Sequence, residues 1–310
     1  MRPPSPSIPE REFALSALQQ SMRIDGRTLL EIRPINLTFG PALGCVECEL
    51  GKTRVLAFID SKMIKPPEER PLEGIISIHS EISPMASSAY ETGRPSDEEV
   101  AITRMLEKVL RRSDAVDRES LCIVAGQRVW HLRLTLHFLA DAGNMLDCAC
   151  LAAVAALRHF RRPEVEVVGE DVITYDPSER PPIPLAMHHT PYVLTFALFP
   201  FASTPAPQQT KLSSTHVPTP QLANSSITAV LDPSPLEASL LPSSSPSLLS
   251  LALTPQRELC VVNKAGGVPV SPEEFLWLVK VAEERVREVE ACLEGGLLKA
   301  KAEAEGIGSL

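Results

Sequence analysis

The sequence predicts an α+β fold in which one arrangement of strands and helices occurs twice. Three observations carry this. Strand-like alternating runs come first and are followed by an amphipathic helix; further strands lead into an alanine-rich helix; and a second series of strands ends in a final helix. Strands and helices grouped in this way pack as sheets with helices laid against them, and do not alternate strictly as in a parallel α/β fold.

Residues 22–31 (MRIDGRTLLE) form a polar opening segment, and residues 44–60 (GCVECELGKTRVLAFID) read as a hairpin turning at Gly51. Alternation returns at 75–82, with Ile76, Ile78 and Ile82 on one face. Residues 96–112 predict a helix: Ser96 and Glu99 form a capping box, and Ile102, Met105, Leu106 and Val109 share one side. Strands follow at 121–124 and 129–139, where Leu132, Leu134, Leu136 and Phe138 alternate inward. A glycine turn, ADAGN at 140–144, opens the alanine-rich helix, with Asn144 as N-cap and Asp147 at its third position. Further strands are expected at 165–168, 192–199, 226–232, 248–254 and 258–263. The last helix starts at Ser271-Pro272-Glu273-Glu274 and runs to about Leu293.

Proline-, serine- and threonine-rich stretches without apolar periodicity divide this plan. The expected organisation is an N-terminal extension at 1–20, a first folded part at 21–202 and a low-complexity insertion at 203–226. A second folded part follows at 227–295, with a flexible loop at 240–247, and a tail at 296–310. The strand pattern resumes at 226–232, so the insertion interrupts one folded unit and does not separate two. The net charge of -9 argues against a chain that binds nucleic acid through its overall charge, while leaving room for a local basic groove. Seven cysteines, no secretory signal and no long apolar run fit a reducing intracellular setting without a membrane span.

Few residues signal chemistry on their own. Cys45 and Cys48 have CxxC spacing, but residues three apart on a strand face opposite ways and cannot share a metal. Cys148 and Cys150 diverge around their helix, and adjacent His188 and His189 suit a loop or strand start. Arg104, Lys108 and Arg111 form a basic stripe opposite the apolar face of the 96–112 helix. Such a stripe is either a solvated face or a phosphate contact. Like charges at this spacing cost a few tenths of a kcal/mol per pair (about 0.2–0.5).

In order, RIDGR at 23–27, the 44–60 hairpin, ERPLEGIISIHSEISPMAS, YETGRPSDEE, ADAGNMLDCACLAAVAAL, PIPLAMHHTPYVLTFALF, AVLDPSPLEASLL and LALTPQRELCVVNKAGG resemble RNase PH-type domains, in particular the ring subunits of the eukaryotic RNA exosome. The resemblance covers about 21–202 and 227–295. It implies the RNase PH fold, with duplicated βαβα-type halves, mixed sheets and packed helices, and a short C-terminus of the fungal kind. Catalytically active members hold phosphate at the glycine turn with a hydroxyl residue followed by arginine; here Asn144 and Met145 take those positions. Methionine has no donor, and a charged hydrogen bond is worth about 1.5–3 kcal/mol. Asp147 adds a like charge. Active members also place two aspartates in the later strand–turn. Asp232 remains here, but Ala238 fills the final acidic position, a loss expected to lower the rate by ~10²–10⁴.

The resemblance therefore implies a non-catalytic subunit with no cofactor and no metal. Arg104, Lys108 and Arg111, with Lys62, Lys65 and Arg70 of the neighbouring loop, match positions that face single-stranded RNA. Implied partners are the other RNase PH-like ring subunits, cap proteins with KH and OB-type domains, and a hydrolytic exoribonuclease, in the nucleus and nucleolus and also the cytoplasm. The alternatives are an active phosphate-dependent 3'-5' exoribonuclease and a free-standing RNA-binding module.

Overall fold

A computed structural model describes residues 6–307 except 92, 94, 169–170, 177–178, 201–226, 243–245 and 265. In chain order its elements are α1 (Ile8–Gln19), β1 (Ile35–Phe39), β2 (Cys45–Leu50), β3 (Thr53–Ile64), β4 (Ile75–Ile82), α2 (Asp97–Leu106), β5 (Cys122–Val124), β6 (Arg128–Ala140) and α3 (Met145–His159). There follow β7 (Arg161–Arg162), β8 (Val165–Val168), β9 (Asp171–Thr174), β10 (Ile183–Pro184), β11 (Tyr192–Pro200), β12 (Ile227–Leu231), α4 (Pro235–Leu240), β13 (Leu248–Leu253), β14 (Leu259–Lys264) and α5 (Pro272–Ile307).

Two sheets face one another across α3. The first runs β1–β2–β3–β6–β4 with β5 beside β6, and the second runs β12–β11–β13–β14. Residues 145–157 of α3 are buried on every side apart from half-buried Leu146, as its alanine-rich, mostly apolar sequence requires. Both halves read strands–helix–strands–helix, so the expected duplication holds in outline. The mixed sheet is confined to the first half. There α2 returns the chain so that β6 runs parallel to β4, a connection that needs a long crossover. The second sheet is antiparallel at every pairing among the described residues.

Strand β11 reads as an unbroken apolar run because both its faces are covered. Phe196 and Leu198 join the main core, while Ala197 and Phe199 pack with Ala14 and Leu18 of α1 on the other side. That helix lies within the expected extension at 1–20 and packs it on the second sheet. Ser7 and Glu10 cap it reciprocally, and Arg11 Nη2 donates to Leu240 O at 3.1 Å. The expected end of the last helix near Leu293 is corrected: α5 continues through Gly295 and Gly296 to Ile307, into the span assigned to the tail at 296–310. Leu293 and Leu297 keep its apolar face buried, and Gly296 lets it approach β1 so closely that a Cβ there would stand 3.1 Å from Phe39. That contact offsets the ~1 kcal/mol a glycine costs inside a helix.

The insertion at 203–226 lies outside the described residues. The strands on either side of it pair antiparallel, Pro200 opposite Ile227, so it joins neighbours within one sheet. The expected loop at 240–247 is anchored at both ends by buried Leu240, Leu241 and Ser247; residues 243–245 lie outside the description. Helix α2 gives way at Glu107 to a π-helical turn reaching Arg112, where the sequence predicted one continuous α-helix.

Candidate functional site

The glycine turn before α3 packs directly on the loop after β12. Gly143 has φ +82°, and a Cβ on it would stand 2.8 Å from Pro235 N and 3.0 Å from Pro233 O. Asn144 caps α3 by position but not by side chain. It adopts left-handed backbone (φ 51°), which asparagine tolerates. Its Nδ2 donates to Asp147 Oδ2 at 2.8 Å and to Asp232 Oδ1 at 2.7 Å. Met145 is 3% exposed and belongs to the core.

Asp147 corrects the sequence reading, which had it repel an incoming anion. It is buried and turned toward β11, where Thr195 N and Thr195 Oγ1 donate to it at 2.8 and 2.7 Å. Burial raises its pKa to about 7, against the lowering effect of the Thr195 and Asn144 hydrogen bonds.

The centre of the site is Asp232, 1% exposed and itself in left-handed backbone (φ 52°). Its Oδ2 accepts from Arg27 Nη1 (2.9 Å), Arg33 Nε (2.8 Å) and Arg33 N (3.0 Å), and its Oδ1 from Arg33 Nη2 (2.8 Å) as well as Asn144. Burial alone would raise its pKa, but the bonds and charge of Arg33, with Asn144, hold it below the ordinary aspartate value. Arg33 also donates to Ala142 O (2.7 Å), Gly143 O (2.9 Å) and Thr53 Oγ1 (3.2 Å), so one guanidinium fastens the opening segment to the turn and to the second half.

Ala238, read as a lost acidic position, is on the exposed side of α4. The acid that turns inward is its neighbour Glu237, 5% exposed. Arg23 grips it through Nε (2.9 Å) and Nη2 (2.6 Å), while donating from Nη1 and Nη2 to Leu231 O and Asp232 O. Sequence reading missed Arg23, Arg27, Arg33, Thr195 and Glu237. The one local signal was the RIDGR run, whose Gly26 has φ +81° and whose two arginines bracket the turn.

The predicted basic residues lie elsewhere. Arg104, Lys108 and Arg111 are exposed and form no ion pair among the described residues. Arg111 and Arg70 line one open groove of 660 Å³, together with Arg112 and Arg118. Glu69, Glu73, Glu107 and Asp114 line it too, and Arg118 is paired with Glu73 and Asp114. Lys62 and Lys65 are exposed away from that groove, and Lys62 pairs with Asp60 at 3.3 Å. The structure thus gathers two of the six predicted residues in one groove and interleaves carboxylates among them.

Cys45 and Cys48 do face opposite ways, and the residue Cys48 meets is Cys148, with sulfurs 3.8 Å apart in the core. Cys150 points instead toward Pro191 O, and His189 Nε2 lies 3.1 Å from Ser113 Oγ.

Residues 31–163 match the model of the 3' exoribonuclease family, domain 1 (RNase PH). The chain is 47% identical over 193 residues to exosome complex component rrp45 of Schizosaccharomyces pombe, covering 62% of this chain and 66% of that protein. It is 46% identical over 190 residues to exosome complex component RRP45 of Homo sapiens, covering 61% and 43%. The chain thus spans less than two thirds of the length of these relatives. These homologues correspond to the polymyositis–scleroderma antigen, the subunit that the LDP run at 231–233, the HHxP stretch at 188–191 and the ELCVVNKAGG ending most resemble. A chain of the Archaeoglobus fulgidus exosome, solved with RNA bound to the active site, superposes with a TM-score of 0.70 at 24% identity, over 91% of this chain and 96% of that one. That likeness shows the fold.

Proposed function

Because the chain carries an RNase PH domain and is similar to exosome components, we propose that it is a non-catalytic subunit of an RNA exosome core ring. It supports 3'-5' RNA processing and degradation by supplying shape, interfaces and part of an RNA-facing wall. The observation that carries the non-catalytic reading is the saturation of Asp232. General acid–base work needs a carboxyl within reach of substrate and free to exchange a proton. Asp232 is buried and satisfied by Arg27, Arg33 and Asn144, and the nearby Glu237 is satisfied by Arg23. Phosphorolysis further needs an anion site, and the cations at this turn already hold an internal carboxylate.

In this reading the chain sits among other RNase PH-like subunits, below cap proteins with KH and OB-type domains and above a hydrolytic exoribonuclease, in nucleus, nucleolus and cytoplasm. Arg104, Lys108 and Arg111, with Arg70 beside Arg111, contact the backbone of single-stranded RNA without regard to sequence. Two measurements test it. Purification of the tagged chain under moderate salt, with protein identification and native mass, is expected to return an assembly of several subunits; a lone monomer refutes the ring. Incubation of the chain and its ring neighbour with RNA is expected to release no nucleoside diphosphate. Phosphate-dependent loss of RNA that Asp232→Ala abolishes would restore the enzyme reading.

A further inference from the structure

The carboxylate of Asp232 receives more donors than it can accept well. Five N–H groups from Arg27, Arg33 and Asn144 lie within 2.7–3.0 Å of its two oxygens. A carboxylate offers about four lone-pair sites, two on each oxygen, and three of the five donors fall on Oδ2 alone. A tetrahedral oxyanion, with more oxygens, matches such a crowd of donors better. The donors come from three separate places in the chain, and Asp232 reaches them only from a left-handed backbone conformation that favours glycine. Other charges face the cluster as well: Asp25 pairs with Arg27 at 2.6 Å, and Asp147 shares Asn144. Arg33 has no acidic ion-pair partner besides Asp232 among the described residues.

We propose that Arg27, Arg33 and Asn144 form a latent oxyanion-binding site, and that the Asp232 side chain keeps it filled as a tethered competitor for orthophosphate. The cations come from the opening segment, and not from the two turn positions, 144 and 145, that hold phosphate in active relatives. The site is thus silenced by occupation, with its positive charge intact. Taking away the CH2–COO⁻ group whole would free a space close to that of one orthophosphate, between Arg33, which has then lost its counter-charge, and Arg27, which keeps Asp25.

The test is thermal unfolding of the full-length chain carrying Asp232→Gly, a substitution the φ of 52° accommodates. Orthophosphate and sulfate are titrated separately against sodium chloride at matched ionic strength. In chloride the variant is expected to melt below the wild type. Orthophosphate raises its midpoint saturably, sulfate does so more weakly, and the wild type shows no such rise. Asp232→Asn keeps the space filled and is expected to respond no more than the wild type. Equal midpoints in phosphate and chloride for the folded glycine variant overturn the proposal, and so does a wild-type response as large as the variant's. Should the glycine variant fail to fold in chloride, refolding yield decides: recovery in phosphate alone supports the site, and no recovery refutes it.

Discussion

Arg33→Ala removes the residue on which the joint between the two halves turns. Its side chain is 11% exposed, and its guanidinium donates twice to Asp232, to both Ala142 O and Gly143 O, and to Thr53 Oγ1. Without it Asp232 stays buried but keeps only Arg27, Asn144 and the backbone N of residue 33. Gly143 O keeps Thr53 Oγ1 at 2.8 Å, and Ala142 O loses the Arg33 bond. Leaving a buried carboxylate wholly without its partner costs about 3–5 kcal/mol. Because Asp232 retains Arg27 and Asn144, the loss is expected toward the lower end of that range, still a large share of a total stability of about 5–15 kcal/mol. Arg33→Lys returns a charge without the planar fork and is expected to recover about half of that. Urea unfolding followed by circular dichroism reads the loss as a lower midpoint at unchanged slope. The difference also has a pH signature. Asp232 has its folded pKa below the ordinary 3.8. The stability it contributes is therefore complete above the unfolded value and is lost as pH falls through the folded one. The gap between wild type and Arg33→Ala should close in acid. A loss below about 1 kcal/mol at neutral pH, or a gap indifferent to acid, would refute the central role given to this pair.

Gly51→Ala strains the left-handed β2–β3 turn (φ +60°) and sets a Cβ 2.7 Å from Arg33 Cδ, so it is expected to cost about 1–2 kcal/mol or more. In a double-mutant cycle with Arg33→Ala the two losses should fall short of additive; strict additivity would separate turn from cluster. Asp147 has its folded pKa raised to about 7 from 3.8, so the folded chain binds the extra proton between those values. Stability should therefore decline as pH rises across that window, by about 1.4 kcal/mol per pKa unit, and level off above it. Asp147→Asn is expected to flatten that slope in a pH series of urea midpoints. Replacing Arg104, Lys108 and Arg111 together with Glu should leave assembly intact, weaken RNA binding by the assembled complex, and lower the salt slope by about 2. A triple variant excluded from the assembly would make the stripe a subunit interface.

Signals that reside in a few consecutive residues were legible. Alternation gave β3, β4 and β6; the N-cap at Ser96, whose side chain accepts from Glu99 N without the return bond of a full capping box, and the capping box at Ser271 placed two helix starts; and the apolar run at 145–157 marked the buried α3. The capping box at Ser7 was equally local, yet the prolines around it read as a flexible extension. Helix α5 outran its expected end because Gly296 pays for itself only against Phe39, a residue on another element.

What the chain alone determined is therefore most of its longer elements, their order and, through that order, its likeness to RNase PH domains. What only the tertiary structure decided is the state of the site. Met145, Ala238 and Asp147 suggested a pocket short of positive charge, whereas the folded chain brings two arginines to Asp232 from 205 and 199 positions away. Whether a buried carboxylate is an available acid or a satisfied one depends on which charges lie within a few ångströms of it. Partners so distant in sequence leave no periodicity to read, and only the closing of the two halves brings them together.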